Sequence, residues 1–301
     1  MNPRPNPTAT STSPAATSCC GPDCCGGAHT TQDETSTPVR EQLAPGADVR
    51  ALVRERYGAI ASGDSGAAGC CGGPTCAEDV IQDVGYFAEQ AKRIPEGANL
   101  GLGCGNPLAW AKPRAGETVL DLGSGAGIDC FLAAHEVGPT GHVIGVDMTP
   151  SMIDRARANA KKGDYAHVEF RLGEIEHLPV ADASVDVVIS NCVVNLSPEK
   201  ARVFREAHRV LKSGGRMVVS DLVWTKLLPD SIRRDVDLLV GCIAGASLRE
   251  DYLELIRGAG FHDVEVVHEG TYSVGANSLP EGSEERAAFE SVASVKVRAI
   301  R

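Results

Sequence analysis

Three cysteines of this chain stand in separate glycine- or asparagine-flanked contexts: Cys104 in GLGCGNP, Cys192 in SNCVVNL and Cys242 in GCIAGAS. Thiolate sulfur is a soft ligand, poorly replaced by water or carboxylate where a thiophilic centre must be held. Three such thiols spread along one chain suggest a single soft-metalloid site assembled by folding. A free thiol titrates near about 8.5, so coordination and local positive potential must help to deprotonate it at neutral pH. The Gly-Cys-Gly turn at Cys104 exposes its sulfur and disfavours a simple packing role. Cys192 closes an apolar strand pattern, at the carboxyl end where α/β sheets open their ligand crevice. Cys130 lies on the face of an expected helix, where a small buried hydrophobe is the ordinary role for cysteine.

A second constellation is VLDLGSGAGID, residues 119–129. A strand ending in Asp121 runs into Gly123, Gly125 and Gly127 and then a helix, so the backbone can approach a ligand where side chains would block it. The next apolar run ends in GVDMT, which places Asp147 at the carboxyl end of its strand about 20 residues past the glycines, where an acid accepts hydrogen bonds from ribose hydroxyls. The glycines recur at every second position rather than as G-x-G-x-x-G, the pattern that cradles a pyrophosphate.

These groups need a scaffold. From Glu117 onward apolar strand runs alternate with helical stretches, the pattern of a parallel sheet covered on both faces. Strands are predicted at 118–122, 142–147, 168–172, 185–190, 216–221, 264–268 and 294–299. Helices are predicted at 128–136, 150–161 and 198–211, the last ended by Ser213-Gly214-Gly215. The fold class is therefore α/β, a doubly wound, mostly parallel, seven-stranded Rossmann-like sheet. Two helical patterns, 49–60 and 79–92, precede it and read as a lid or cap. Residues 1–48 read as a flexible Cys-rich tail, 49–220 as a cofactor-binding domain with its helical cap, and 221–301 as a smaller C-terminal region that completes the sheet and holds a helix bearing Cys242.

Composition narrows the function classes. A net charge of −11 without a Lys/Arg stripe argues against nucleic acid. No run approaches the roughly 18 apolar residues of a membrane span, and the first residues lack the apolar core of an export signal. A cytoplasmic protein is expected. Eleven cysteines is an odd count, which leaves a thiol outside any complete disulfide set. In a reducing compartment cysteines serve as core residues, ligands or redox groups more often than as permanent staples.

The loop with its preceding acid resembles the cofactor motif of class I S-adenosylmethionine-dependent methyltransferases. GANLGLGCGNP, SNCVVNLSPEK and GCIAGA, together with YGAIA at 57–61 and GYF at 85–87, resemble the motifs of the arsenite methyltransferases, from about residue 50 to the C-terminus. This resemblance implies that Asp121 and the loop of Gly123, Gly125 and Gly127 address the methionine end of S-adenosylmethionine, Asp147 the ribose, and Met148, Glu174 and Ile175 the adenine, with Tyr86 approaching the cofactor. It implies that Cys104, Cys192 and Cys242 hold As(III), from arsenite or methylarsenite, while the arsenic lone pair attacks the sulfonium methyl. No permanent metal is expected.

Methylation formally oxidises the arsenic, and a cysteine pair can return two electrons by forming a disulfide that thioredoxin or glutathione resets. The resemblance implies Cys104 as one partner and a cysteine of the 70–76 segment as the other. Cys70, Cys71 and Cys76 all lie there, Cys70 and Cys71 at the more family-like distance from Tyr57. Cys19, Cys20, Cys24 and Cys25 in CCGPDCC lack the C-x-x-C spacing of a zinc site. They read either as a capture tail for arsenic or as a dispensable thiol-rich segment. Two other functions fit parts of the pattern: a methyltransferase of a small organic acceptor with structural cysteines, and a non-catalytic metalloid-sequestering protein.

Overall fold

The computed structural model describes residues 41–63, 86, 88–272 and 280–301. Five parallel strands form the centre of one sheet: β1 (Thr118–Leu122), β2 (His142–Asp147), β3 (Val168–Leu172), β4 (Val185–Asn191) and β5 (Leu211–Trp224). A two-residue strand, β6 (Ser247–Leu248), pairs with β5 off the main path. The chain then returns as β7 (His262–Thr271) and β8 (Val292–Ile300), with β8 antiparallel to both β5 and β7. The spatial order is β3-β2-β1-β4-β5-β8-β7, so the seven expected strands make one continuous path.

The inner strands are apolar along their length because helices cover both faces. Val119, Leu120 and Leu122 of β1 and Val187, Val188 and Ile189 of β4 are buried. The main helices are α1 (Val49–Ser62), α2 (Ile128–Val137), α3 (Pro150–Lys162), α4 (Lys200–Val210), α5 (Val236–Val240), α6 (Arg249–Gly258) and α7 (Glu284–Phe289), with shorter helical turns elsewhere among the described residues. Asp48 caps α1 by accepting from the Ala51 amide, and Gly63 ends it in the left-handed region at φ 76°. Among the described residues, no helix is long and apolar enough to cross a membrane.

Several expected boundaries move. The strand expected at 216–221 runs from Leu211 to Trp224, because Leu211 already pairs with Val185 across an irregularity in the register. Ser213-Gly214-Gly215 thus lies inside an irregular strand rather than after a helix, with Gly214 supplying a φ of 75°. Cys242 is not on a helix: α5 ends at Val240, and Cys242 follows in a left-handed turn at φ 66°. The expected 79–92 helix is described only from Ala88 to Ala91, together with Tyr86.

The order of strands decides where a ligand can bind. From β1 the chain winds outward through β2 to β3, then crosses back to β4 and winds the other way, so the crevice opens at the carboxyl ends of β1 and β4. Gly127 shows how tightly that corner is built. It caps α2 at φ 99°, and a Cβ there would lie 2.7 Å from the Phe131 ring and 2.8 Å from Phe170. Gly127→Ala is expected to cost on the order of 2–4 kcal/mol of folding stability, from left-handed strain plus overpacking. A denaturant titration showing a loss below about 1 kcal/mol would contradict that packing argument.

Candidate functional site

A cavity of about 1010 Å³, part of it open to solvent, lies at this switch point. Its floor is the loop at Gly123 and Gly125 with Asp121, Asp129 and Asp147, while Gly127 lies outside the lining, packed against Phe131 and Phe170; its wall includes Met148, Ile175 and Glu176; α1 covers it with Arg50, Val53 and Tyr57. Gly123 and Gly125 hold φ of 68° and 52°, which non-glycine residues rarely adopt. Open space surrounds the position a Cβ would take on Gly125, and the buried Ser124 hydroxyl has no hydrogen-bond partner among the described residues. An open cradle, an orphaned polar atom and three carboxylates suit a polar, cationic ligand of cofactor size.

Asp147 holds the glycine loop in place. Its Oδ2 accepts from the Gly125 amide at 2.9 Å and its Oδ1 from the Thr149 amide at 2.8 Å, so it fixes the glycine loop from the neighbouring strand. Burial pushes its pKa up, and those backbone hydrogen bonds oppose the shift. Asp121 is buried and accepts from the Cys130 thiol at 3.3 Å; burial, with Asp129 beside it, raises its pKa well above the usual range. Cys130 is fully buried, as its apolar setting predicts.

Asp129 is a site residue that motif reading missed, although it stands at the end of the quoted loop motif. It is buried in the first turn of α2, and burial raises its pKa to about 6 against the opposing hydrogen bonds of Tyr86 and Asn191. The Tyr86 hydroxyl reaches both Asp129 oxygens at 2.8 and 2.9 Å. Tyr86 itself is not part of the cavity lining. Glu174 also lies outside the lining, ion-paired with Arg50 and Arg54, while Glu176, two residues on, faces in and binds Arg50 and the Ser197 hydroxyl.

All three expected thiols meet in one apolar cluster beyond the carboxyl ends of the strands. Cys104 and Cys192 are joined as a disulfide, with Cα atoms 5.7 Å apart. The resemblance placed the partner of Cys104 in the 70–76 segment; Cys70, Cys71 and Cys76, like Cys19, Cys20, Cys24 and Cys25, lie outside the described residues. The Cys242 thiol donates to the carbonyl oxygen of Cys192 at 2.8 Å. Cys192 and Cys242 both adopt positive φ, 59° and 66°, strain of about 1–3 kcal/mol each that surrounding structure must hold. Cys192 also lines the cavity, so the thiol cluster opens onto the cofactor-sized pocket.

Behind the sulfurs stands a second carboxylate that motif reading missed. A carboxylate oxygen of Asp221 and the sulfurs of Cys104 and Cys192 lie within 4.8 Å of one another. Burial pushes the pKa of Asp221 up to about 7, offset by a 2.8 Å hydrogen bond from Tyr252 and by the charge of Lys200. No spacing rule marks Asp221, because it reaches the site through the alignment of β5 beside β4.

A doubly wound sheet of this order, with a glycine loop and strand-end acids at its switch point, defines an S-adenosylmethionine-dependent methyltransferase. Residues 113–260 match the family model of a methyltransferase domain. The chain is 53% identical over 259 residues to an arsenite methyltransferase of Halobacterium salinarum, covering 81% of this chain and 66% of that protein. It is 42% identical over 194 residues to an arsenite methyltransferase of Aquipseudomonas alcaligenes, covering 62% of this chain and 56% of that one. The crystal structure of an arsenic (III) S-adenosylmethionine methyltransferase from Chlamydomonas reinhardtii superposes with a TM-score of 0.59 at 35% identity, covering 76% of this chain and 74% of that one. The matches thus span just under two thirds, or less, of the two curated relatives' lengths. The chain belongs to the arsenite methyltransferase family.

Proposed function

We propose that the protein methylates trivalent arsenic, as arsenite and methylarsenite, with S-adenosylmethionine as donor, and so serves detoxification. The observation that carries this reading is the position of Cys192, which belongs at once to the thiol cluster and to the cofactor-sized cavity. When bound, S-adenosylmethionine supplies an electrophilic methyl group on a sulfonium, which an arsenic lone pair can take without a general base. Asp121, Asp129, Asp147 and the glycine loop hold that cofactor, and Cys104, Cys192 and Cys242 hold the arsenic with its lone pair toward the cavity. Orientation of this kind is worth up to about 7–11 kcal/mol when reacting atoms are well aligned. Residues 49–220 carry most of the cofactor pocket, and the region after residue 220 adds Cys242.

The same cysteines serve reduction. Two thiolates that close to a disulfide release the two electrons needed to return As(V) to As(III), and Cys104 and Cys192 stand within disulfide reach. In this reading their disulfide is the oxidised state of the site, which a thiol reductant such as thioredoxin or glutathione must open in the cytoplasm before the next arsenic binds. Incubation of the reduced protein with S-adenosylmethionine, arsenite and glutathione, followed by arsenic speciation, tests the proposal. Methylated arsenic is the expected product; arsenite recovered unchanged would overturn the reading.

The raised pKa of Asp129 gives a pH signature. Above about 6 the carboxylate is an anion that attracts a cationic cofactor, and below it the proton must leave on binding. Cofactor affinity is therefore expected to fall roughly tenfold per pH unit as pH drops below about 6. Asp129→Asn should bind more weakly at pH 7.5 and lose most of that dependence. An unaltered pH profile in Asp129→Asn, measured by calorimetry, would assign the dependence to another group.

A further inference from the structure

We infer that Asn191 is a positioning residue that couples the cofactor pocket to the arsenic-binding thiols, so that occupancy of one site tightens the other. The inference rests on the proposed arsenic chemistry and concerns how the two halves of that site are held in register. Asn191 ends β4 and lines the cavity. Its Oδ1 accepts from the Cys104 amide at 3.1 Å, and its Nδ2 donates to the Gly105 carbonyl at 2.7 Å. The same Nδ2 reaches the Tyr86 hydroxyl at 2.8 Å and Asp129 Oδ2 at 3.2 Å. One side-chain amide is thereby shared between a carboxylate of the cofactor pocket and the peptide that carries the first thiol, while its own backbone leads directly into Cys192, the second.

The packing leaves that amide little freedom. A Cβ on Gly103 would lie 2.9 Å from Asn191 Nδ2, and Gly103 itself holds φ at 115°, so the loop before Cys104 rests against the amide. Two N–H groups serve three acceptors here, which makes the arrangement sensitive to where Asp129 and Tyr86 stand. A ligand that fixes Asp129 leaves the amide one arrangement, with Oδ1 presented to Cys104. The ordering of the thiol loop is then complete before arsenic arrives, which is positive coupling in the thermodynamic sense.

A control lies on the other side of the same peptide. The Ser294 hydroxyl donates to the Cys104 carbonyl at 3.0 Å and in turn accepts from Lys296, with no residue of the cofactor pocket in that chain. Ser294 therefore steadies Cys104 without connecting it to the cofactor.

The test uses the full chain, its disulfide opened with a phosphine reductant, and measures As(III) binding by equilibrium dialysis with and without saturating S-adenosylhomocysteine, which permits no turnover. In the parent protein the cofactor product is expected to tighten As(III) binding at least fivefold, the lower end of ordinary coupling. Asn191→Ala and Asn191→Asp should bring that ratio below twofold; the aspartate keeps the shape and the acceptor for Cys104, and serves if the alanine variant does not fold. Ser294→Ala should weaken As(III) binding by the same factor in both conditions and keep the ratio. Asn191 variants that weaken As(III) binding equally in both conditions, with the ratio intact, would show a purely structural role and overturn the inference. A parent protein that binds As(III) with no response to the cofactor product overturns it as well, and leaves the proposed function standing. No As(III) binding by the reduced parent would defeat both.

Discussion

Replacing Cys192 with serine is expected to abolish methylation of both arsenite and methylarsenite, a loss of roughly 10³-fold or more given how much of the rate rests on holding the arsenic in line. Three roles converge on this residue. Its sulfur belongs to the thiol cluster, it lines the cofactor cavity, and it bonds to Cys104 in the oxidised site. A serine hydroxyl is hard and stays protonated, so it can still line the cavity but can neither hold arsenic nor form the disulfide. The backbone of residue 192 still donates to the Ser220 carbonyl at 2.8 Å, so Cys192→Ser should fold and keep its affinity for S-adenosylhomocysteine. Arsenic speciation after a fixed incubation gives the rate, and calorimetry gives the cofactor affinity. A Cys192→Ser protein that methylates arsenite within tenfold of the parent rate would remove this thiol from the site.

Asp147→Ala should weaken cofactor binding roughly 10- to 100-fold, from the loss of hydrogen bonds to a charged group worth about 1.5–3 kcal/mol. The effect has two origins. The carboxylate offers remaining lone pairs to a ribose, and it anchors the loop through the amides of Gly125 and Thr149. As(III) binding by the reduced protein without cofactor should stay close to the parent value, because the hydrogen bonds of Asp147 among the described residues go to Gly125 and Thr149 and not to Cys104, Cys192 or Cys242. Unchanged affinity for S-adenosylhomocysteine by calorimetry would show that Asp147 neither touches the cofactor nor shapes its loop.

The places of Asp121 and Asp147 at the ends of their strands were legible in the sequence for local reasons. Gly123, Gly125 and Gly127 announce positive φ, the apolar runs before Asp121 and Asp147 announce buried parallel strands, and an acid at the end of such a strand faces the crevice wherever the strand lies. Other parts were less legible. Asp129 looks like an ordinary helix-start acid until Tyr86, 43 residues away, is seen donating to it. Cys242 follows a helical pattern, yet the turn after α5 rotates its thiol toward Cys192, 50 residues earlier.

The sequence by itself determined the ingredients: a cofactor loop built from glycines, strand-end acids and three thiols in glycine- or asparagine-flanked contexts, set by preferences that act within a few residues. The tertiary structure alone decided who meets whom. Cys104 finds Cys192 across 88 residues, and Asn191 reaches the Cys104 amide across 87. Asp221 arrives behind both sulfurs because Ser220 is level with Asn191 in the parallel register of β5 and β4. The physical reason is that strand order and register are set by burial of the whole sheet, a sum over distant residues that no local spacing encodes.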